Sequence, residues 1–157
     1  MTDHPKFMEQ AIALACRNAK EGAGGPFGAV IVKDGKIIAE GANLVTQKKD
    51  PTAHAEIEAI REACQQLNSY QLQDCIIYTS CEPCPMCLGA IYWARPAAVY
   101  YWNTREQAAS AGFDDDFIYS QLNVPPEDRS IPFRQMACSP ANHPFELWKA
   151  STIKIEY

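Results

Sequence analysis

The sequence has no long hydrophobic run, no internal repeat, no low-complexity tract and no basic cluster larger than Lys48-Lys49. A helix needs about 20 successive apolar residues to cross a bilayer. Nothing here approaches that, so a membrane span is excluded and a cytoplasmic location is expected. The polar start, Met1-Thr2-Asp3-His4-Pro5-Lys6, has no apolar stretch after it of the kind a secretory leader carries. Acidic residues outnumber basic ones by 19 to 14, for a net charge of −5. Binding a polyanion requires an excess of Lys and Arg on some face, so nucleic acid is disfavoured as the main partner. Seven cysteines are present. An odd count with three crowded into one stretch points to metal or thiol chemistry rather than a disulfide framework. Cys16, Cys64, Cys75 and Cys138 sit among apolar neighbours and are expected to be small buried hydrophobes.

What is present suffices for one domain spanning 1–157, since 47% of the 157 residues are hydrophobic. Residues 5–21 carry a helical stripe of Phe7, Met8, Ala11, Ile12, Ala15 and Ala19, ended by Gly22, Gly24 and Gly25. Phe27 to Lys33 and Lys36 to Ala42 read as strands around Asp34-Gly35, a dipeptide suited to a type I′ turn. A polar loop reaches Pro51. Thr52 is the expected cap of a helix from His54 to Leu67. Cys75 to Thr79 reads as a buried strand. Pro83 and Pro85 mark the start of a helix to Trp93, and Ala97 to Trp102 is a further strand. Residues 104–111, Asp116 to Leu122 and Pro144 to Ala150 read as helices, with a stiff loop at Pro125-Pro126 and Pro132. Arg134 to Cys138 is expected to be a last short strand. Strands alternating with helices predict an α/β fold. The expected form is a three-layer α/β/α sandwich on a mixed sheet of about five strands.

Two short motifs carry the chemistry: His54-Ala55-Glu56 and Pro83-Cys84-Pro85-Met86-Cys87. His54, Cys84 and Cys87 are zinc-type ligands, and three protein ligands leave one tetrahedral position open for water. Both motifs fall at predicted helix N-termini, whose partial positive charge favours thiolates. Glu56 can take a proton from such a water and remain neutral in a dry pocket. It can then protonate a ring nitrogen and a leaving amine. A closed structural site of Cys81, Cys84, Cys87 and His54 is the competing reading, and it leaves Glu56 without a purpose.

The runs Pro51-Thr-Ala-His-Ala-Glu56 and Thr79-Ser-Cys-Glu-Pro-Cys-Pro-Met-Cys87 resemble the zinc-dependent cytidine deaminase-like superfamily, over roughly residues 26–102. Within it the chain is similar to the bacterial guanine deaminases. The tRNA adenosine deaminases share the same two runs. The resemblance implies one Zn2+ per subunit and hydrolytic deamination of a free purine base, guanine to xanthine and ammonia, by a zinc-activated water with Glu56 as proton shuttle. It implies that Phe27 stacks on the base, that Asn43 offers an amide donor, and that the Ala55 backbone N–H meets the substrate. Gly112-Phe113-Asp114-Asp115 is similar to a guanine deaminase pattern. Asp115 would then face the base as a second polar or proton-shuttling group, beside Phe113 and Asp114. Guanine's N1–H and 2-amino group suit a carboxylate, whereas adenine's N1 acceptor would be repelled. Capping of the next helix is the alternative role for these aspartates. The tail, roughly residues 140–157 and ending at Tyr157, is implied to close over the base. A homodimer is implied, with exchange of the C-terminal segment as one form of it. A deaminase of tRNA adenosine or of other amino-heterocycles, and a non-catalytic zinc-stabilised binding module, remain the alternatives.

Overall fold

In the computed structural model, which describes residues 4–157, four strands form one mixed sheet in the order β2-β1-β3-β4. The polar Met1-Thr2-Asp3 lies outside the described residues. The elements run α1 (His4–Lys20), β1 (Gly28–Lys33), β2 (Lys36–Ala42), α2 (Val45–Lys48), α3 (Ala55–Leu67), β3 (Cys75–Cys81), α4 (Pro85–Ala94), β4 (Ala98–Asn103), α5 (Arg105–Ser110), α6 (Asp116–Leu122), a 3-10 turn (Pro126–Asp128) and α7 (Pro144–Ala150). The chain divides into two compact units, one ending at Asp116 and the other spanning Phe117–Tyr157.

In the first unit β1 pairs antiparallel with both β2 and β3, and β3 pairs parallel with β4. The β1–β2 hairpin turns through Asp34 and Gly35, both at positive φ (50° and 72°), as a type I′ turn demands. Period-two alternation on β1 builds the layers. Val30 and Val32 meet Phe7, Ala11 and Leu14 of α1 on one face. Ala29 and Ile31 meet Ala55, Ala59 and Ala63 of α3, with Ile91 and Ala94 of α4, on the other. The three-layer α/β/α reading therefore holds. The buried face of α1 is Phe7, Ala11, Leu14, Ala15 and Asn18. Ala19 is exposed instead, because the stripe follows Leu14 and Asn18.

Small residues let α3 lie close to the sheet. A Cβ at Gly41 would meet the Ala55 carbonyl oxygen at 2.1 Å and the Ala59 nitrogen at 2.7 Å. Backbone in van der Waals contact with backbone leaves no room there for any side chain.

Four expectations are corrected. The sheet has four strands, not five, because Arg134 to Cys138 is irregular and exposed. Pro132 and Pro140 flank it, and the second unit contains no strand to pair with it. Thr52 does not cap α3. Its hydroxyl is engaged with Asp50 and Arg61, and His54 occupies the N-cap. The loop after β2 winds into a short helix, α2. Of the cysteines expected to be buried, Cys75 is, Cys64 is half-buried, and Cys16 and Cys138 are exposed.

Candidate active site

The strand register gathers the site at one end of the sheet. Gly28, which opens β1, pairs with Ala42, which closes β2, and Ala29 pairs with Thr79 near the end of β3. Cys81 at the end of β3 pairs with Asn103 at the end of β4. Phe27, Asn43, the loop from Glu82 to Cys84 and Thr104 therefore all leave the sheet on the same side. The parallel pair presents its carboxyl ends here, the usual location for sites in α/β folds.

Two helices begin at this end. His54 is the N-cap of α3, in extended backbone (φ −70°, ψ 158°). Cys84 is the N-cap of α4, also extended (φ −66°, ψ 169°), with Pro85 in the first turn. The Cys84 Sγ lies 3.6 Å from His54 Nδ1, and the Cys87 Sγ lies 3.5 Å from the same nitrogen. One ligand atom each from His54, Cys84 and Cys87 fits within 4.8 Å of the others. That spacing suits three donors to one ion, and two thiols with an imidazole are a zinc donor set. The Cys87 backbone N–H donates to Cys84 Sγ at 3.5 Å, so the first turn of α4 supports its own ligand. The thiol hydrogen bond from Cys87, followed by the contact with His54, lowers the Cys84 pKa to about 4. The same pairing with Cys84 and burial raise that of Cys87. The hydrogen bond to Cys84 raises the His54 pKa, against the effect of burial. One thiolate is thus already favoured within the cluster.

Glu56 is 7% exposed in the first turn of α3, with Oε2 3.5 Å from Cys87 Sγ. Two effects compete on its charge. The helix N-terminus favours a carboxylate by about 0.3–2 kcal/mol, whereas taking an ion out of water costs on the order of several kcal/mol. Burial wins, and the carboxyl pKa is raised. Glu56 is therefore a group that holds a proton more readily than an exposed glutamate. Cys81 stands apart from the cluster. Its thiol, pushed up to about 11 chiefly by burial, donates to the Thr104 carbonyl at 3.7 Å.

Residues 1–103 match the family described as "Cytidine and deoxycytidylate deaminase zinc-binding region". The chain belongs to this family. Its cofactor is zinc, and it is a zinc-dependent hydrolase. It is 59% identical to the guanine deaminase of Bacillus subtilis over 99% of each chain. It superposes on that enzyme's crystal structure with a TM-score of 0.96, again covering 99% of both chains. The tRNA-specific adenosine deaminase of Aquifex aeolicus is 45% identical over 60% of this chain and 62% of that one. A guanine deaminase structure from Nitrosomonas europaea matches with a TM-score of 0.65 and 30% identity, over 69% of this chain and 63% of that one.

The deaminase fold brings several of the expected base-holding residues together. Phe27 and Phe113 meet edge to face, ring centroids 4.9 Å apart. The Asn43 backbone N–H donates to the Phe27 carbonyl at 3.2 Å, and Asn43 Oδ1 accepts from the Val45 N–H at 3.2 Å. Ala55 is fully buried at the start of α3. The two aspartates differ. Asp114 is exposed and accepts from the Asp116 N–H at 2.9 Å, at the start of α6. Asp115 is half-buried, and its pKa is raised, first by burial and also by the charge of Cys84. Tyr157 belongs to the second unit.

Two residues of this region escaped the sequence reading. Glu82 accepts from the Arg105 N–H at 3.1 Å and donates its own N–H to the Asn103 carbonyl at 2.8 Å, tying the loop before Cys84 to the start of α5. Its signal was its place between Cys81 and Cys84. Buried Asn18 had no signal beyond being polar at the end of an apolar stripe.

Atomic absorption on dialysed protein tests the ligand set. Cys84→Ser should weaken zinc affinity by at least about a hundredfold, while Cys81→Ser keeps a full complement. Equal loss in both variants would place Cys81 among the ligands.

Proposed function

We propose that this deaminase hydrolyses guanine to xanthine and ammonia, with His54, Cys84 and Cys87 holding one zinc ion. The observation that carries this reading is the extent of the likeness. The match to the guanine deaminase of Bacillus subtilis, 59% identical, spans 99% of the chain and so extends past the deaminase motifs into the C-terminal part. Identity with the tRNA-specific adenosine deaminase of Aquifex aeolicus covers only 60%. The net charge of −5 also disfavours a tRNA substrate.

Zinc in such a site supplies an acidified water as nucleophile. With zinc bound, Glu56 would take the proton of the attacking water and deliver it to the ring nitrogen next to the carbon that bears guanine's 2-amino group. It would then take the proton of the newly added hydroxyl and pass it to the departing amine. Its raised pKa supports the accepting half of that cycle. Asp115 accepts from N1–H and the amino group. Asn43, with its Oδ1 engaged by Val45, has its NH2 to offer an acceptor on the purine. Phe27, held edge-on by Phe113, stacks on the ring. The Ala55 backbone N–H meets the base at the start of α3, where orphan donors point outward. Asp114 borders the base beside Phe113.

We further propose a homodimer in which the C-terminal segment, ending at Tyr157, closes the partner's site. No residue of Phe117–Tyr157 is buried, and Phe145, Leu147, Ile153 and Ile155 are 58–90% exposed. A segment this apolar needs a surface to cover it. The first unit offers Tyr92, Trp93, Tyr101 and Trp102, each at least half exposed on α4 and β4, an aromatic patch suited to an interface core.

Ammonia release from guanine, guanosine, adenine and cytosine, measured side by side, should show activity on guanine alone. Glu56→Gln should retain zinc and lose turnover by about 10²–10⁴-fold. Activity confined to another base would overturn the substrate, and near-wild-type turnover of the zinc-loaded variant would overturn the shuttle. Segment exchange is tested by complementation in mixed dimers. One subunit carries Glu56→Gln with an intact tail, and the other carries Glu56 but lacks residues 151–157. Exchange creates one working site per mixed dimer, whereas a tail acting on its own subunit, or no dimer, leaves none.

A further inference from the structure

Asn18 is 5% exposed on a stretch of α1 that otherwise carries Arg17, Ala19 and Lys20 at the surface. Burying an amide costs free energy unless its hydrogen bonds are made. Its Nδ2 donates to the Gly25 carbonyl at 2.7 Å and to the Asn43 carbonyl at 2.9 Å. Those two carbonyls belong to a larger ring. The Phe27 N–H donates to the same Gly25 carbonyl at 2.9 Å, and the Asn43 N–H donates to the Phe27 carbonyl at 3.2 Å. The sequence of bonds Asn18, Gly25, Phe27, Asn43 and back to Asn18 is closed. Every group in it is backbone except the Asn18 amide.

The glycine loop within this ring packs directly against both base-holding side chains. A Cβ at Gly24 would lie 2.2 Å from the Asn43 carbonyl oxygen and 3.0 Å from Asn18 Nδ2. A Cβ at Gly25 would lie 3.1 Å from the Phe27 ring and 3.5 Å from Asn43 Cγ. Nothing wider than backbone fits at Gly24, and a side chain at Gly25 would press on the Phe27 ring, so the position of this loop bears on where Phe27 and Asn43 stand. The Asn18 backbone carbonyl also accepts from the Ala23 N–H at 3.1 Å, which anchors the loop at its other end.

We propose that Asn18 is a positioning residue for substrate binding: its side-chain amide closes the ring that holds Phe27 and Asn43 against the purine. This rests on the guanine deaminase reading of the same site. Asn18 touches neither zinc nor base. Its removal therefore loosens the grip on the ring while Glu56 and the metal ligands, on α3 and α4, keep their geometry. The loss falls on KM more than on kcat.

The test is steady-state kinetics on zinc-loaded protein with guanine, for Asn18→Ala, Asn18→Asp, Asn43→Ala and the Asn18→Ala/Asn43→Ala pair. Asn18→Asp keeps the shape but turns an oxygen toward two carbonyls. Both Asn18 variants should raise KM roughly tenfold, the scale of one well-placed hydrogen bond to the base, with kcat within about threefold and zinc content unchanged. Because Asn18 acts in part through Asn43, the rise in KM of the double variant should fall clearly short of the product of the two single effects. If Asn18→Ala does not fold, Asn18→Ser keeps one donor and should show an intermediate KM. A folded, zinc-loaded variant with KM within about twofold of wild type, or fully multiplicative effects in the pair, would overturn the proposal and leave the deaminase reading intact. A wild-type protein silent on guanine would overturn that reading, and this proposal with it.

Discussion

Everything in this molecule depends on bringing two helix N-termini to one point. Zinc needs two thiolates and an imidazole within a few ångström, and thiols ionise readily only where positive potential favours the anion. A helix start supplies that potential and ends an extended segment at a defined place. The sheet places two such starts side by side. His54 caps α3, which crosses from β2 to β3, and Cys84 caps α4, which crosses from β3 to β4. The small residues at the α3 contact follow from this demand. Gly41 against Ala55 and Ala59 lets the helix approach closely enough for His54 to reach the thiols of the other helix.

The same placement sets the chemistry of Glu56. Its position two residues past the N-cap keeps it in the first turn, where the dipole tempers the cost of a negative charge. Burial nevertheless dominates and raises its pKa. Glu56 therefore holds a proton more readily than an exposed glutamate does. Asp115 is also raised, chiefly by burial, but less enclosed.

Local features were legible before the fold was known, and relational ones were not. Asp34-Gly35 specifies its turn through its own backbone preferences, and His54, Glu56, Cys84 and Cys87 declare themselves by residue type and spacing. The α/β/α layering follows from alternation on β1 set against the helical period of α1. By contrast, Thr52 was a reasonable cap on local grounds, but Asp50 and Arg61, ordered by α3 itself, take its hydroxyl. Arg134 to Cys138 carries no β-branched or aromatic residue, and a strand exists only with a neighbour. Asn18 reads as one more polar residue on an amphipathic helix, and its partner at Asn43 lies 25 residues away. Cys16 fell between the buried and exposed faces of α1, which hydropathy alone did not separate.

X-ray absorption at the zinc edge tests the central claim, an open site of two cysteines and one histidine, most directly. The account predicts two sulfur ligands at about 2.3 Å and two lighter ligands at about 2.0–2.1 Å, one an imidazole and the other exchangeable. A third sulfur in the coordination sphere would bring in Cys81, close the site, and contradict the account.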